Sequence, residues 1–296
     1  MLNEIKASGS IYDVVRRKYL SKLAEKTGRN VIAYYSGWLQ KPDLRETELN
    51  DADITGFMNA VYGLEPEKGL DLLLHTPGGG VAAVEALGNY LRLVFGSNIR
   101  VIVPQLALSA GTMLACVAKN IMMARHSSLG PIDPHLSGLP AAGIVEEFNR
   151  AHREIAADQT KAYVWQPIIN KYPPTLLGQA ERAFKWAQEI VEHWLLSGDM
   201  FSDLDAERKQ QTVKTIIAEL ADHTTTKSHD RHIPYSRAKE IGLKITLLEE
   251  EKELLDLVLS IHHAFMHTFS STPAFKIVEN HNGIAYISLA QSLRQN

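Results

Sequence analysis

The stretch from Leu70 to His135 constrains the fold more than any other, because it states one pattern twice: an apolar run, a turn of small residues, then an apolar helix. Leu70 to Leu74 leads into His75-Thr76-Pro77-Gly78-Gly79-Gly80 and a helix from Val81 to Phe95. Ile99 to Val103 leads into Ala107-Leu108-Ser109-Ala110-Gly111-Thr112 and a second helix running through Ala118. Strand runs this apolar need cover on both faces, which predicts a parallel sheet between helices with any site at the strand ends. In the first turn, glycine has no Cβ to keep a ligand away from the backbone N–H groups, and the helix that starts there adds its N-terminal dipole. The second turn puts a serine among small residues at a helix start. A hydroxyl and unshielded N–H donors at neighbouring strand ends are two parts of an acyl-transfer site.

Read in order, HTPGGG from His75, ALSAGTMLA from Ala107 and LGPIDP from Leu129 resemble the serine dehydrogenase proteinase family. That family belongs to the Clp protease/crotonase fold group and is similar to signal peptide peptidase A. The resemblance runs from Val31 to Leu248 and implies an α/β fold, a Clp/crotonase-like spiral of β-β-α units with added helices. It divides the chain into an N-terminal amphipathic helical arm (1–29), a catalytic domain (30–248) and a C-terminal helix and hairpin extension (249–296). It implies a serine endopeptidase with Ser109 as nucleophile. Taken without it, a serine at a helix start is more often an N-cap. Of the oxyanion donors, one is the amide that follows the nucleophile, Ala110, and the other must come from the glycine turn. The resemblance places that second donor at Gly79, with Gly78 shaping the turn and Gly78 and Gly80 meeting the substrate.

A serine hydroxyl needs a base to take its proton. Clp-type peptidases use a histidine and an aspartate, but the alignment puts Ile132 near the expected histidine, with His126 and His135 on either side. Signal peptide peptidase A and its soluble relatives use a lysine, and Lys171 in INKYPPT matches it best, with Lys161 as the alternative. Such a lysine must be partly desolvated for its pKa to fall towards neutral. Two other enzyme or non-enzyme classes remain: an acyl-CoA enzyme using the same two amides without a serine nucleophile, and a silent assembly scaffold. HTPGGG is not the dinucleotide fingerprint GxGxxG, and no cofactor is needed for the peptidase reading. His223, His229 and His232, with Asp222 and Asp230, lack the spacing of a metal site and read as a polar loop, so no metal is assigned.

Composition narrows the partners. A formal net charge of -3 over 296 residues and a pI near 6.5 give no global attraction to nucleic acid, which leaves a peptide or protein substrate. No run reaches the roughly 20 apolar residues of a membrane span, and the first residues lack a signal-peptide pattern, so a cytoplasmic protein without an integral membrane segment is expected. The single cysteine, Cys116, lies on an apolar helical stretch and fits a reducing compartment as a core residue. Ile11 to Thr27 reads as a basic amphipathic helix docked on the body or on a neighbouring subunit. Asp158 to Pro174, with no clean period, is a candidate lid or a connector, and Thr175 to Leu196 is a long amphipathic helix suited to subunit packing. Together with the apolar N-terminal helix and a hairpin from Ala274 to Leu289, turning at His281-Asn282-Gly283, it suggests a homo-oligomer.

Overall fold

The computed structural model describes residues 11–136, 139–221 and 232–290. Its centre is a seven-stranded sheet. Five strands run parallel: β1 (Asn30–Ser36), β2 (Leu70–His75), β3 (Ile99–Val103), β5 (Asn120–Met123) and β10 (Ile245–Leu247). Beyond β1 come β11 (Ala274–Asn280), antiparallel to it, and β12 (Ala285–Leu289) at the edge. The hairpin expected from the Asn-Gly turn therefore forms and joins the sheet through β1. A smaller sheet of two-residue strands, β4 (Leu106–Ala107), β6 (Ser128–Leu129) and β9 (Ile233–Pro234), lies above the strand ends.

Alternation along the strands divides the core into two layers. Leu72, Leu74, Val101 and Val103 pack against α2 (Asp53–Val61), α3 (Val81–Phe95), α4 (Ala110–Ala115), the distal half of α7 (Leu176–Ser197), α8 (Ala206–Ala221) and α9 (Tyr235–Glu240). Leu73, Ile102 and Tyr35 face the other way, against α1 (Ile11–Thr27) and α10 (Lys252–Ser271). Each fully buried leucine or valine here contributes about 1.5–3 kcal/mol of hydrophobic stabilisation. The α1 helix docks on α10 and buries Arg16, whose guanidinium bonds Glu279 on β11 at 2.9 Å, Thr268 at 2.9 Å and Asp13 at 2.6 Å. The arm is thereby tied to the C-terminal strand, because an unpaired guanidinium could not be buried there. Cys116 is buried, which pushes its thiol up to about 12.

A helical lobe leaves the body after β6. It consists of α5 (Ala141–Ala157), α6 (Ala162–Ile169) and the first half of α7, around a small core of Ala141, Ile144, Leu176 and Ala180. The segment without a clean period is thus partly helical, anchored to α5 by the Trp165 indole N–H on Glu154 at 3.0 Å. The root of α7 is fixed by Trp194, which lies where a Cβ on Gly88 would stand, 2.5 Å from its ring, and which donates to Asn89 at 3.0 Å. Among the described residues no helix is long and apolar enough to cross a membrane.

Candidate active site

The three sequence motifs meet at the end of β2. The glycine turn and the serine turn are joined by a short parallel bridge: the Thr76 N–H donates to Leu106 O at 3.0 Å and the Leu108 N–H to Thr76 O at 3.1 Å. How closely they pack is set by glycines. A Cβ on Gly78 (φ +105°) would lie 2.7 Å from Ser109 Cβ and 3.2 Å from the Ala110 nitrogen; one on Gly111 would lie 2.5 Å from Thr76 Cγ2. The third motif closes the back of the site: a Cβ on Gly130 would lie 3.2 Å from the Ser109 nitrogen. Thr112 pins that contact: its single hydroxyl proton lies between Ala107 O at 2.9 Å and Gly130 O at 2.8 Å, and its Oγ1 accepts the Gly130 N–H at 2.9 Å.

Ser109 occupies φ 50°, ψ −115°, a conformation that non-glycine residues avoid. Such a residue costs about 1–3 kcal/mol and persists only where its surroundings over-determine it. Here they do, through Leu108 N–H on Thr76 O, Gly111 N–H on Leu108 O and Met113 N–H on Ser109 O. The side chain caps no helix N–H. Ser109 thus stands at the N-cap position with a half-buried hydroxyl that bonds no helix N–H.

The donors of the glycine turn can be counted one by one. Thr76 N–H is taken by Leu106 O, Pro77 has none, Gly78 N–H goes to Thr76 Oγ1 at 3.2 Å, and Gly80 N–H goes to Leu49 O at 2.9 Å. The Gly79 N–H alone has no partner among the described residues. It is held from both sides by Leu49, whose N–H donates to Gly78 O at 2.7 Å, and a Cβ on Gly79 would stand 2.1 Å from Leu49 O. The Ala110 N–H, first in α4, is likewise without a partner among the described residues. The outward groups of Gly78 and Gly80 are thus occupied by Leu49, and Gly79 presents the free donor.

Neither candidate lysine joins the hydrogen-bonded cluster among the described residues. Lys161 precedes α6 and Lys171 follows it; both are exposed and neither is hydrogen-bonded to Ser109. Asp133, in the third motif, is buried and accepts the Ala142 N–H at 3.1 Å, which fixes the start of the helical lobe to the turn behind Ser109. Ile132 is buried, while His126 and His135 are exposed. Among the described residues no three His, Cys, Asp or Glu side chains are grouped to hold a metal; Asp222, His223, His229 and Asp230 lie outside the described residues. Sequence reasoning passed over His75, which reads as part of a turn but is fully buried at the end of β2. Its position at the start of HTPGGG was the only signal.

A strained serine packed on a glycine turn that keeps one free amide, on a mostly parallel sheet with helices on both faces, is the architecture of the ClpP-like class of proteins. The chain belongs to the family of ClpP-like SDH-type serine proteinases, which matches residues 5–262. It is also similar to two proteins of Methanocaldococcus jannaschii. One, "Uncharacterized protein MJ0137", is 29% identical over 251 residues, covering 82% of this chain and 78% of that one. The other, "Uncharacterized protein MJ1495", is 30% identical over 190 residues, covering 64% and 56%.

Proposed function

We propose that this chain hydrolyses peptide bonds in protein substrates through an acyl-enzyme on Ser109. The observation that carries the reading is the Gly79 amide, among the described residues the one unpartnered donor of a turn packed directly on Ser109. The Ser109 Oγ attacks the scissile carbonyl, and the carbonyl oxygen, now an anion, is held by the Gly79 and Ala110 N–H groups. The C–N bond breaks as the leaving amine takes the proton removed from Ser109, and water then releases the acyl group. Lys171 carries that proton, with Lys161 as the alternative. Both are exposed in the free chain, so the role requires the helical lobe to close over the strand ends and bring the amine to Ser109 with water excluded. Gly78 and Gly80 shape the path of the substrate backbone. The lobe exposes Tyr163 and Val164 at 83% and 57%, which supports burial against further copies in a closed homo-oligomer. The buried, unpaired cysteine supports a cytoplasmic setting.

The test is a fluorophosphonate probe with peptide mapping. Labelling should fall on Ser109 alone and vanish in Ser109→Ala. A folded wild-type chain left unlabelled from neutral to alkaline pH would refute the nucleophile, and acyl-CoA binding in such a chain would favour the acyl-CoA alternative.

A further inference from the structure

The bridge between the two turns ends one residue short. Thr76 pairs with β4 through its own N–H and C=O, but the Leu106 N–H points past the end of that ladder. This half-buried amide has no backbone acceptor among the described residues. It finds one in a side chain: the His75 Nδ1, at 3.4 Å. His75 is the last residue of β2 and is followed directly by the glycine turn; Leu106 opens the strand that leads to Ser109. This contact therefore spans the two segments whose spacing decides whether Ser109 and the Gly79 amide face one reacting carbonyl.

The contact also dictates the state of the ring. An Nδ1 that accepts an N–H cannot carry a proton, so His75 is the neutral Nε2–H tautomer. Its surroundings enforce neutrality. From β1 comes Tyr35, 5.5 Å between ring centroids; from α10 comes His262, at 5.1 Å and edge-on; Trp38 covers the ring at 4.4 Å. Burial raises the Tyr35 phenol well above its usual range, so it stays protonated. Burial, with His263 and His126 nearby, lowers His262 to about 4. Burial first, and His262 second, hold His75 well below its ordinary value. No carboxylate faces the ring among the described residues. The His75 Nε2, Tyr35 Oη and His262 Nδ1 are all buried with no hydrogen-bond partner among the described residues. An apolar residue would fill this place without leaving an unpartnered polar atom. The one hydrogen bond this histidine makes is the one to the Leu106 N–H.

Resting on the serine-peptidase reading above, we infer that His75 is a positioning residue: as a neutral Nε2–H imidazole it fixes the register between the glycine turn and the serine turn by accepting the Leu106 N–H. It touches no substrate and moves no proton. Loss of the acceptor lets the serine turn drift relative to Gly79, and a displacement near 1 Å slows the acylation step by about 10- to 100-fold.

Three measurements on the full chain test this. In wild type, nitrogen-15 NMR of the imidazole should show the proton on Nε2 and none on Nδ1; a proton on Nδ1 overturns the inference without any variant. In His75→Phe, which keeps an aromatic ring but no acceptor, exchange of the Leu106 amide should quicken by about tenfold or more, and fluorophosphonate labelling of Ser109 should slow by about 10- to 100-fold. In His75→Asn, whose Oδ1 stands in for Nδ1, both should return towards wild type. A folded Phe variant with wild-type labelling, or an Asn variant no better than Phe, overturns the role. If the wild-type chain itself is not labelled, the peptidase reading falls instead. The exchange of Leu106 across the three chains then decides separately whether His75 joins the two turns.

Discussion

Adding one methyl group at Gly78 should uncouple the site while leaving the rest of the fold in place. In Gly78→Ala the new Cβ would begin 2.7 Å from Ser109 Cβ and 2.8 Å from Leu108 O. Carbon atoms in contact rest about 3.5–4.0 Å apart, so the two turns must separate by roughly 1 Å. Backbone cannot yield as the tip of a flexible side chain does, and both turns are pinned by hydrogen bonds. A shift of that size is worth about 100-fold in an acylation rate. The alanine must also adopt φ +105°, which adds about 1–3 kcal/mol of strain. The assay is the rate of fluorophosphonate labelling by in-gel fluorescence, with a thermal melt by circular dichroism alongside. Gly143→Ala is the control: its Cβ meets nothing nearer than Pro140 Cβ at 3.8 Å, inside α5, where alanine favours the helix. We expect Gly78→Ala to label about 100-fold more slowly and Gly143→Ala to label as wild type. A folded Gly78→Ala chain that labels at the wild-type rate would refute the claim that these turns form one site.

Further expectations concern the base, the assembly and acid stability. Lys171→Met should abolish labelling with the melt unchanged, and Lys161→Met should not; the reverse result transfers the role to Lys161. Light scattering at micromolar concentration should report a mass well above the 33.0 kDa of one chain, and a persistent monomer removes the oligomer proposal. Burial holds His262 at about 4, against an ordinary 6.5. The unfolded chain therefore takes up this proton first, and stability present above pH 6.5 is lost as pH falls towards 4, about 3 kcal/mol in all. Urea unfolding of His262→Phe should lose that much less over the same range; an identical acid slope in the two chains would show the assignment to be wrong.

The parts legible in the sequence are those whose signals are local. The α3 helix begins and ends where it was expected because Gly80 precedes Val81 and Gly96 follows Phe95, and β2 and β3 show as runs that are apolar almost throughout, interrupted only by Asp71 and Arg100. The tiny strands β4 and β6 were not legible, since two residues cannot display an alternation. Nor was the neighbour of β1, because the pairing with β11 joins residues far apart in the chain and depends on no pattern within either. At the site, the motifs named Ser109 and the resemblance named Gly79, but the physical reason, that the amides of Thr76, Gly78 and Gly80 are taken while that of Gly79 is not, lies in three-dimensional packing. The role of His75 was hidden for the same reason: a histidine in a sequence does not announce which backbone amide it serves.

The strand that completes the sheet also braces the site. Lys276 on β11 is buried and donates to Glu48 O at 2.7 Å and to Asp53 at 3.0 Å. Tyr34 joins it on Asp53 at 2.9 Å, so the segment from Glu48 to Asp53 is held in place. Leu49, within that segment, clamps the glycine turn on both sides of Gly79. Synthesis proceeds from the N-terminus, and the ribosome therefore releases both turns long before it releases the residue that steadies them. Until Lys276 emerges, Leu49 lacks its brace, and β1 presents an open edge to whatever lies nearby. A nascent chain thus carries the serine turn and the glycine turn in a loosened frame, and Leu49 takes its final place only when the hairpin of β11 and β12 closes. The chain's own translation becomes the clock that sets the two turns in place.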